Sequence, residues 1–345
     1  MTREAPRIAL SGINATDNPG PGVPIARSLK EWNPQVQITG LSYDVHDPGH
    51  YLPHWIDHSH LLPFPSKGWE TLWSALQPIA KREGIEILIP SLDVELPIYI
   101  RHQDKLRQAG IQTFLPNAEQ FELRCKDRLP ELSDLIQLPH PKTYSVSSAE
   151  ELIEVMRDKL PPPLVVKGRH YKAYIVYNES DALRRFTEIA AEWGCPILLQ
   201  EVIRGREINL IGLADGKGGS CGMVPISKMT TTSLGKIWTG VTLDHPELIE
   251  AGRRFIEKTN WRGPFELECI EADGRIQLIE INPRFPAWVY FATGVGMNLP
   301  QRLIGLMTEG ACSTNPHYEI GKYFVRYTSE MVTDLSKFSK LSIGA

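Results

Sequence analysis

Short apolar runs alternate with amphipathic segments along the first third of the chain. Arg7–Ser11 is an apolar run of strand length, and Val23–Trp32 after it carries apolar residues at helical spacing. The same alternation predicts helices at Thr71–Glu83 and His102–Ala109 and strands at Ile85–Pro90 and Ile111–Pro116. Strands that alternate with helices form parallel sheets covered on both faces. The pattern therefore predicts an α/β domain at the start of the chain.

The pattern changes around Pro116. Ala118–Leu132 is predicted to be helical, and three consecutive prolines at 161–163 interrupt the chain before the apolar run Leu164–Lys167. Beyond it the sequence predicts strands at Tyr174–Tyr177, Ile197–Gln200 and Glu207–Leu213, and helices at Ser180–Trp193 and Pro246–Thr259. A chain of 345 residues is longer than a typical single domain, so two or three structural units are expected.

The overall charge and the cysteine content narrow the classes of protein. A formal net charge of −4 gives no strong basic field, so nucleic acid is not expected as the main partner. The five cysteines include no Cys-x-x-Cys pair, and their odd number argues against a disulfide framework or a thiolate zinc site. The first residues lack a long apolar signal core, and no apolar run is long enough to span a membrane. We therefore expect a reduced, cytoplasmic protein with no membrane partner.

The segment Gly263–Arg284 reads as a β-hairpin that carries acids. Two apolar runs of strand character flank Asp273-Gly274, which is a strong turn signal. Residues two apart in a strand share a face. On the first strand these are Glu266 and Glu268, and on the second Glu280 and Asn282.

Register determines which of these side chains meet. A three-residue loop, Asp273–Arg275, would place Glu268 opposite Glu280 and Glu266 opposite Asn282. Opposed carboxylates repel one another, whereas a divalent cation between them would turn the repulsion into coordination. Because Mg²⁺ binds carboxylate and phosphate oxygens, two carboxylates and an amide oxygen predict a Mg–ATP site. The alternative, a solvated strand face, fits less well because the second strand is otherwise apolar.

The hairpin resembles the metal-binding end of the ATP-grasp fold, as in biotin carboxylase, the carbamoyl-phosphate synthetase large subunit and D-alanine–D-alanine ligase. In that family an acid is followed twelve residues later by Glu-x-Asn-x-Arg, and here Glu268 is followed at that spacing by Glu280–Arg284. The resemblance implies that Glu268, Glu280 and Asn282 hold Mg²⁺, with Mn²⁺ as an alternative. It also implies that Arg284 faces the transferred phosphate or the acyl phosphate.

Upstream residues match the family's ATP contacts in the same order. The resemblance implies that Lys126 and Lys167 bind the phosphates of ATP, and that Lys228 lies near them as a catalytic basic residue. The stretch Gln200–Glu207 resembles the hinge that holds adenine and ribose. The implied contacts are adenine with the Gln200 side chain and with the backbone of Glu201 and Ile203, and ribose hydroxyls with Glu207.

The resemblance extends over nearly the whole chain and is nearest to the carbamoyl-phosphate-synthetase-like branch. It implies an N-terminal parallel-sheet pre-ATP-grasp domain at residues 1–117, followed by two ATP-grasp subdomains that clasp the nucleotide. Residues 118–200 would form the small lid subdomain with the hinge. Residues 201–345 would form the large subdomain with the metal site.

The predicted phosphate loop, Gly168–Ala173, departs from the family pattern. The loop is usually glycine-rich, so that backbone N–H groups approach the phosphates, but here it contains a single glycine. Arg169, His170 and Lys172 are therefore expected to supply positive charge through their side chains. The alternative interpretation is a solvated basic turn.

The resemblance implies an ATP-dependent carboxylate–amine ligase, in which ATP phosphorylates a carboxylate and an amine attacks the acyl phosphate. ADP and phosphate are released, and the product carries an amide or peptide-like bond. The implied partners are a small-molecule or peptide carboxylate and an amine, and a homodimer is an alternative to a monomer. Two other interpretations stay open: another ATP-grasp phosphotransfer enzyme, such as a carboxylase subunit or a small-molecule kinase, and a non-catalytic nucleotide-binding regulator.

Three regions are candidates for the acceptor site. They are the Asn14–Gly22 loop, the acids Asp93 and Glu95, and the stretch Phe285–Tyr290 after the metal ligands. The acids would suit a cationic amine, although acids in loops are usually solvated. The aromatic residues would either line a substrate pocket or pack in the core.

Overall fold

The computed structural model describes residues 5–15, 19–169, 172–232, 235–312, 315 and 317–343. The described residues form fourteen β-strands and twelve α-helices. The strands are β1 (Arg7–Leu10), β2 (Gln37–Ser42), β3 (His58–Leu61), β4 (Ile87–Ile89), β5 (Thr143–Val146), β6 (Leu164–Gly168), β7 (Ala173–Val176), β8 (Ile197–Glu201), β9 (Arg206–Asp215), β10 (Ser220–Thr231), β11 (Ile237–Thr242), β12 (Arg262–Ala272), β13 (Arg275–Asn282) and β14 (Tyr323–Val325). The helices are α1 (Gly22–Trp32), α2 (Trp69–Glu83), α3 (Leu96–Arg101), α4 (Gln103–Gln108), α5 (Ala118–Glu122), α6 (Leu129–Ile136), α7 (Ala149–Asp158), α8 (Glu179–Trp193), α9 (Pro246–Thr259), α10 (Val289–Gly294), α11 (Leu299–Glu309) and α12 (Leu335–Ile343).

A four-stranded parallel sheet with the order β3-β2-β1-β4 lies in the N-terminal part. Strands β1, β2 and β4 are almost wholly buried, as expected for a parallel sheet with both faces covered. The helices α1 and α2 follow the predicted amphipathic segments to within two residues at either end. The predicted α/β class and its parallel N-terminal sheet are confirmed.

The predicted strand at Ile111–Pro116 is wrong. Only Gln112 pairs with the sheet, through an isolated bridge to Ile87. The carbonyl groups of Thr113 and Leu115 instead accept hydrogen bonds from the guanidinium of Arg262, at 3.1 and 2.7 Å. An arginine side chain therefore takes the acceptors that a neighbouring strand would need.

The predicted single helix at Ala118–Leu132 is also wrong. The segment forms α5, a 3₁₀ turn at Lys126–Arg128 and then α6. Pro130 lies in the first turn of α6, where its missing N–H costs nothing but where it cannot continue an earlier helix. The break leaves Lys126 on a short turn rather than on a helix face.

The remaining strands form two sheets. One has six strands in the order β13-β12-β9-β10-β11-β14, and the other has four antiparallel strands in the order β5-β8-β6-β7. The predicted strands at Leu164–Lys167, Tyr174–Tyr177, Ile197–Gln200 and Glu207–Leu213 correspond to β6, β7, β8 and β9. The sequence pattern thus located β6, β8 and β9, on which Lys167, Gln200 and Glu207 lie.

The turn between β12 and β13 has two residues, so the predicted three-residue loop is wrong. Asp273 and Gly274 both have positive φ, 51° and 70°, as a two-residue type I′ hairpin turn requires. A regular ladder from this turn would put Glu266 and Asn282 on opposite faces. Their side chains are nevertheless hydrogen-bonded at 2.9 Å, so we infer a one-residue irregularity between the turn and Asn282.

The chain packs into two units. Unit 1 comprises Met1–Ala118, Leu210–Glu266 and Asn282–Ala345, and unit 2 comprises Glu119–Asn209 and Leu267–Ile281. Each unit has its own hydrophobic core: in unit 1 the parallel sheet packs with α1, α10 and α11, and in unit 2 the four-stranded antiparallel sheet packs with α7 and α8. The pre-ATP-grasp domain and the two ATP-grasp subdomains expected from the sequence stay a prediction.

One expectation from the cysteine pattern does not hold. Cys221 and Cys312 form a disulfide, although they are 91 residues apart in sequence and belong to no recognisable cysteine motif. Spacing along the chain cannot reveal this pair, because the fold brings their Cα atoms to 5.7 Å. Among the described helices, none is both long enough and apolar enough to cross a membrane.

Candidate functional site

Lys126 and Glu280 form an ion pair in unit 2. Lys126 Nζ lies 3.2 Å from Glu280 Oε2, at the end of a side chain that is almost wholly buried. Glu280 keeps 33% of its side chain exposed. A buried ammonium needs a partner, and the carboxylate provides it. The structure thus brings together a residue predicted to bind phosphate and one predicted to bind metal.

Lys167 and Gln200 form a second, buried contact in unit 2. Lys167 lies opposite Leu198 in the pairing of β6 with β8, so Lys167 and Gln200 are diagonal neighbours on one face. Lys167 Nζ donates to Gln200 Oε1 at 2.9 Å, and Gln200 Nε2 donates to Thr143 Oγ1 at 2.8 Å. Both the oxygen and the nitrogen of the Gln200 amide are therefore hydrogen-bonded, and the amide orients the Lys167 side chain.

The surroundings of Lys167 shift its pKa downward. Burial, and after it the positive charge of Lys126, lower the pKa of Lys167 to about 7, while Glu280 acts in the opposite direction. When Lys167 is protonated, two ammonium groups face one carboxylate, and the group carries excess positive charge. Such a group favours the binding of an anion such as a phosphate.

Nucleotide binding is expected to take up protons above neutral pH. A phosphate beside Lys167 favours the ammonium form, so affinity should fall as the pH rises through the pKa of about 7 in the free protein. The measurement is calorimetric titration with Mg–ATP at about pH 8, in two buffers of different ionisation enthalpy, with uptake of up to about one proton expected. In Lys167→Arg the side chain stays charged, so binding should persist with less uptake. Equal proton uptake by both proteins would contradict the assignment.

Glu268 occupies the neighbouring strand of the same hairpin. It lies on β12, half-buried, next to Cys269, whose pKa is raised by burial first and by the Glu268 charge second. In the part of the chain that the structure describes, no group of three or more histidine, cysteine or acidic side chains is arranged to hold a metal ion. The predicted ligand set differs from such a group because it contains two carboxylates and an amide. Convergence of Glu268 with Glu280 on a cation stays a prediction.

A chain of hydrogen bonds in unit 1 fixes the amide of Asn282. Asn282 Nδ2 donates to Glu266 Oε2 at 2.9 Å, and Asn282 Oδ1 accepts from Arg284 Nη2 at 3.2 Å. Trp288 Nε1 donates to the other Glu266 oxygen at 2.8 Å. Glu266, Asn282 and Trp288 are all buried, so these bonds are shielded from water. The amide oxygen, which is the atom a metal would need, is thereby directed away from Glu266.

Asp93 and Glu95 are both occupied within unit 1. Arg284 donates from Nε and Nη2 to Asp93 Oδ2, at 3.0 and 2.9 Å. Glu95 is fully buried, and burial raises its pKa. Its carboxylate accepts hydrogen bonds from the hydroxyl groups of Ser11 and Tyr43 and from the backbone N–H groups of Ser91 and Leu92. The prediction that Glu95 contacts an acceptor amine is wrong, because the carboxylate is enclosed by these donors.

The predicted hinge lines a cavity in unit 2. The segment Glu201–Arg204 borders a space of about 690 Å³, together with Pro163 and residues at the end of the β12–β13 hairpin. Among the described residues, the backbone N–H and C=O of Ile203 have no hydrogen-bond partner, so both are available to a ligand. Gln200 and Glu207 do not line this cavity. The structure therefore brings only some of the predicted adenine and ribose contacts together.

Two further candidates, Glu207 and Lys228, lie on the neighbouring strands β9 and β10. Glu207 is exposed near the start of β9, which suits a contact with ribose hydroxyls. Lys228 belongs to unit 1, where it is half-buried on β10 opposite Gly240, next to an irregularity in the pairing with β11. Their contacts with nucleotide stay predictions.

In the predicted phosphate loop, the two cationic side chains that the structure describes are both paired with acids. Arg169 Nε pairs with Asp127 at 3.0 Å, and Lys172 pairs with Glu188 and Glu192. His170 and its neighbour Tyr171 lie outside the described residues. The expectation that Arg169 and Lys172 replace the missing glycines is therefore not supported by their partners.

Thr143 and the contact that Trp288 makes were missed in the sequence analysis. Thr143 holds Gln200, and Trp288 holds Glu266. Trp288 follows the metal motif closely enough to be a substrate candidate, but no sequence signal assigns its indole N–H to a carboxylate. Thr143 lies far from the hinge in sequence and reaches Gln200 only through the β5–β8 pairing.

Comparison with known sequences gives distant matches. No family model matches the sequence. The chain is 24% identical over 204 residues to the carbamoyl phosphate synthase large chain of Clostridium botulinum (strain Eklund 17B / Type B), covering 52% of this chain and 18% of the relative. It is 27% identical over 154 residues to the human trifunctional purine biosynthetic protein adenosine-3, covering 42% of this chain and 15% of that protein. The chain thus spans less than a fifth of either relative.

Comparison with solved structures covers nearly the whole chain. Biotin carboxylase from Campylobacter jejuni, in a β,γ-ATP complex, matches with a TM-score of 0.71 at 14% identity, covering 92% of this chain and 74% of that one. N5-carboxyaminoimidazole synthetase from Staphylococcus aureus matches with a TM-score of 0.68 at 14% identity, covering 92% and 80%. The biotin carboxylase domain dimer of Hydrogenobacter thermophilus 2-oxoglutarate carboxylase, with MgADP, ADP and bicarbonate, matches with a TM-score of 0.68 at 16% identity, covering 92% and 73%. The comparisons confirm the superfamily that the hairpin motif indicated.

Proposed function

We propose that this member of the ATP-grasp superfamily is an ATP- and Mg²⁺-dependent ligase, which converts a carboxylate to an acyl phosphate and couples it to an amine. ADP and phosphate would be released. The observation that carries the proposal is the burial of Lys126 and Lys167 around Glu280, the central acid of the metal motif. Two buried ammonium groups beside one carboxylate suit the phosphates of a nucleotide bound with a cation.

The donor set fits Mg²⁺. Glu268 and Glu280 offer carboxylate oxygens, and Asn282 offers an amide oxygen that its bond to Glu266 keeps turned toward Arg284. One-third of the Glu280 side chain is exposed, so this carboxylate can exchange its bond to Lys126 for a cation. The metal, once bound, would offset charge on the transferring phosphoryl group. Mn²⁺ favours the same oxygen ligands and is an alternative.

Arg284 would stabilise the acyl phosphate. Its two bonds to Asp93 and its bond to Asn282 hold the guanidinium at a fixed position, so little reorganisation would be needed when a phosphate arrives. Lys228 would add charge from β10. The adenine would meet the backbone of Glu201 and Ile203, with Gln200 acting mainly through Lys167 and Glu207 meeting the ribose.

A carboxylase subunit is a second candidate function. It is favoured by two of the structural matches, a biotin carboxylase and a biotin carboxylase domain solved with bicarbonate. A carboxylase also needs a biotin carrier, and the 345 residues of this sequence contain no Met-Lys-Met sequence for biotin attachment. The dimeric state of one of these neighbours also supports a homodimer. A kinase and a non-catalytic regulator have no specific observation in their favour.

ADP release separates these functions. The purified chain would be supplied with Mg–ATP and, in separate reactions, with carboxylic acids alone, acids with amines, and bicarbonate with free biotin. We expect ADP to accumulate catalytically only with an acid and an amine together. Accumulation with bicarbonate and biotin would favour the carboxylase, and binding of ATP without ADP release under any condition would favour a regulator.

A further inference from the structure

Unit 1 contains a cavity of about 660 Å³ whose walls are rich in aromatic side chains. Six aromatic side chains line it: Trp55, Trp238, Trp288, Tyr290, Phe324 and Tyr327. The volume is in the usual range for small-molecule sites. Two of the regions predicted for the acceptor site meet here, since Asn14, Ala15, Pro19 and Gly20 also line the cavity together with Ala287. Thr16, Asp17 and Asn18 of the first region lie outside the described residues.

The charged side chains in the described wall of the cavity are positive. Among the described residues that line it, two are arginines and none is an aspartate or glutamate. Arg27 is already neutralised by Glu31, whose Oε1 lies 2.9 Å from Arg27 Nε. Arg326 has no carboxylate partner among the described residues, and its Nη2 donates to the Ala287 carbonyl at 3.0 Å. Arg326 is half-buried, and burial lowers its pKa, but a guanidinium stays charged at neutral pH.

A half-buried guanidinium without a counter-ion is best satisfied by an anion that brings little water with it. A positively charged ligand is disfavoured, although aromatic walls often bind cations. The Arg27 guanidinium already lies 3.6 Å from the centre of the Tyr290 ring and 5.7 Å from that of Trp55. Two of the six aromatic rings are thus already in contact with a cation from the chain itself.

The cavity wall is connected to the proposed chemistry within unit 1. Trp288 lines the cavity and donates to Glu266, which accepts from Asn282, which in turn accepts from Arg284. Three hydrogen bonds therefore link the wall to the arginine proposed to face the acyl phosphate. A ligand against Trp288 in this cavity would therefore contact one end of the hydrogen-bond chain that leads to Arg284.

We propose that this cavity receives the acid substrate, and that the acid is a carboxylate with an aromatic ring. Arg326 pairs with the carboxylate, and the six aromatic side chains enclose the ring. The inference rests on the proposed ligase function, because it names the class of acid that the ligase activates. The amine partner is not assigned to this cavity, since no described acid lines it.

Direct binding in the absence of ATP tests the proposal. The probes are 3-phenylpropanoate, its neutral amide, acetate and 2-phenylethylamine, and binding is followed by tryptophan fluorescence and by calorimetry. We expect 3-phenylpropanoate to bind at least about tenfold more tightly than any of the other three. Acetate or 2-phenylethylamine binding as tightly as the aromatic acid would overturn the proposal.

Variants identify the residues responsible. Arg326→Met should abolish the preference for the acid over its amide, while Arg326→Lys should restore most of it, because it keeps the positive charge. Trp238→Ala should weaken acid and amide alike. Arg253→Met, at an exposed arginine paired with Glu250 in the same unit, is the control and should bind like the wild type. An acid preference that survives in Arg326→Met would remove Arg326 from the site.

The outcome can be separated from that of the ligase proposal. If aromatic acids bind as expected but no acid promotes ADP release, the cavity stands and the ligase function fails. If ADP release depends on an acid without a ring and aromatic acids do not bind, the function stands and the substrate class fails.

Discussion

Glu280→Gln is expected to lower the rate of Mg²⁺-dependent ADP formation at least about a hundredfold, equivalent to about 2.7 kcal/mol of transition-state stabilisation. The substitution keeps the size of the side chain but removes the charge that would bind Mg²⁺. It also takes away the negative charge that pairs with the ammonium group of Lys126. ADP formation is measured under saturating ATP and Mg²⁺.

The stability of Glu280→Gln distinguishes a catalytic loss from a folding defect. Relief of repulsion between two opposed acids would leave the stability unchanged, but the structure shows Glu280 paired with a buried lysine. Glu280 is one-third exposed but Lys126 is almost wholly buried, so water screens the pair only in part. The glutamine amide oxygen can still accept from the ammonium, so the free energy of unfolding should fall by about 1 kcal/mol. Glu271→Gln is the matched control, because Glu271 lies on the same hairpin, is paired with Arg206 and is similarly exposed. It should retain turnover; equal losses in both variants would argue against a metal ligand at Glu280.

Lys167→Met is expected to weaken Mg–ATP binding about 10- to 100-fold. This loss corresponds to about 1.5–3 kcal/mol, the contribution of a hydrogen bond to a charged group. Methionine has a similar length and fills the buried site without charge, so the fold should be kept. Calorimetric titration gives the affinity, and thermal unfolding gives the stability.

Stability and affinity should change independently in this variant. Removing a buried ammonium relieves its desolvation, while Gln200 loses the donor to its Oε1, so the net change in stability should stay within about 1 kcal/mol. Lys159→Met, at an exposed lysine in the same unit, is the control and should bind nucleotide normally. Unchanged affinity in Lys167→Met would reject Lys167 as a phosphate ligand.

The sequence predicted the parts of the fold and site that depend on local pattern. Strand periodicity located β6, β8 and β9, and with them Lys167 and Gln200. The spacing from Glu268 to Arg284 was enough to identify the superfamily, because a metal hairpin fixes both residue types and separations.

Other features depend on contacts between distant segments, and the sequence did not reveal them. Ile111–Pro116 looks like a strand, but Arg262, about 150 residues later, takes its carbonyl groups. Glu95 looks like an accessible loop acid, yet it is fully buried among donors from three segments. The Cys221–Cys312 disulfide has no sequence signature for the same reason.

Residue roles were harder to predict than residue positions. The contact of Gln200 with adenine stays a prediction, and the structure adds a role that the sequence did not suggest, because the Gln200 amide joins Lys167 to Thr143. Register explains this role, since β8 pairs with β6 on one side and with β5 on the other. A side chain in the middle of a sheet can meet either neighbouring strand, and sequence alone does not say which strands those are.

Hydroxylamine trapping tests carboxylate activation most directly. Hydroxylamine attacks acyl phosphates as a general nitrogen nucleophile and gives stable hydroxamates, so the natural amine need not be known. The chain is incubated with ATP, Mg²⁺, hydroxylamine and a panel of carboxylic acids that includes aromatic ones. We predict that at least one acid gives hydroxamate in equal amount to ADP and that neither product forms without Mg²⁺. Both products should form at least about a hundredfold more slowly with Glu280→Gln. Tight binding of ATP with no hydroxamate from any acid, or ADP formed without hydroxamate, would contradict the proposed ligase.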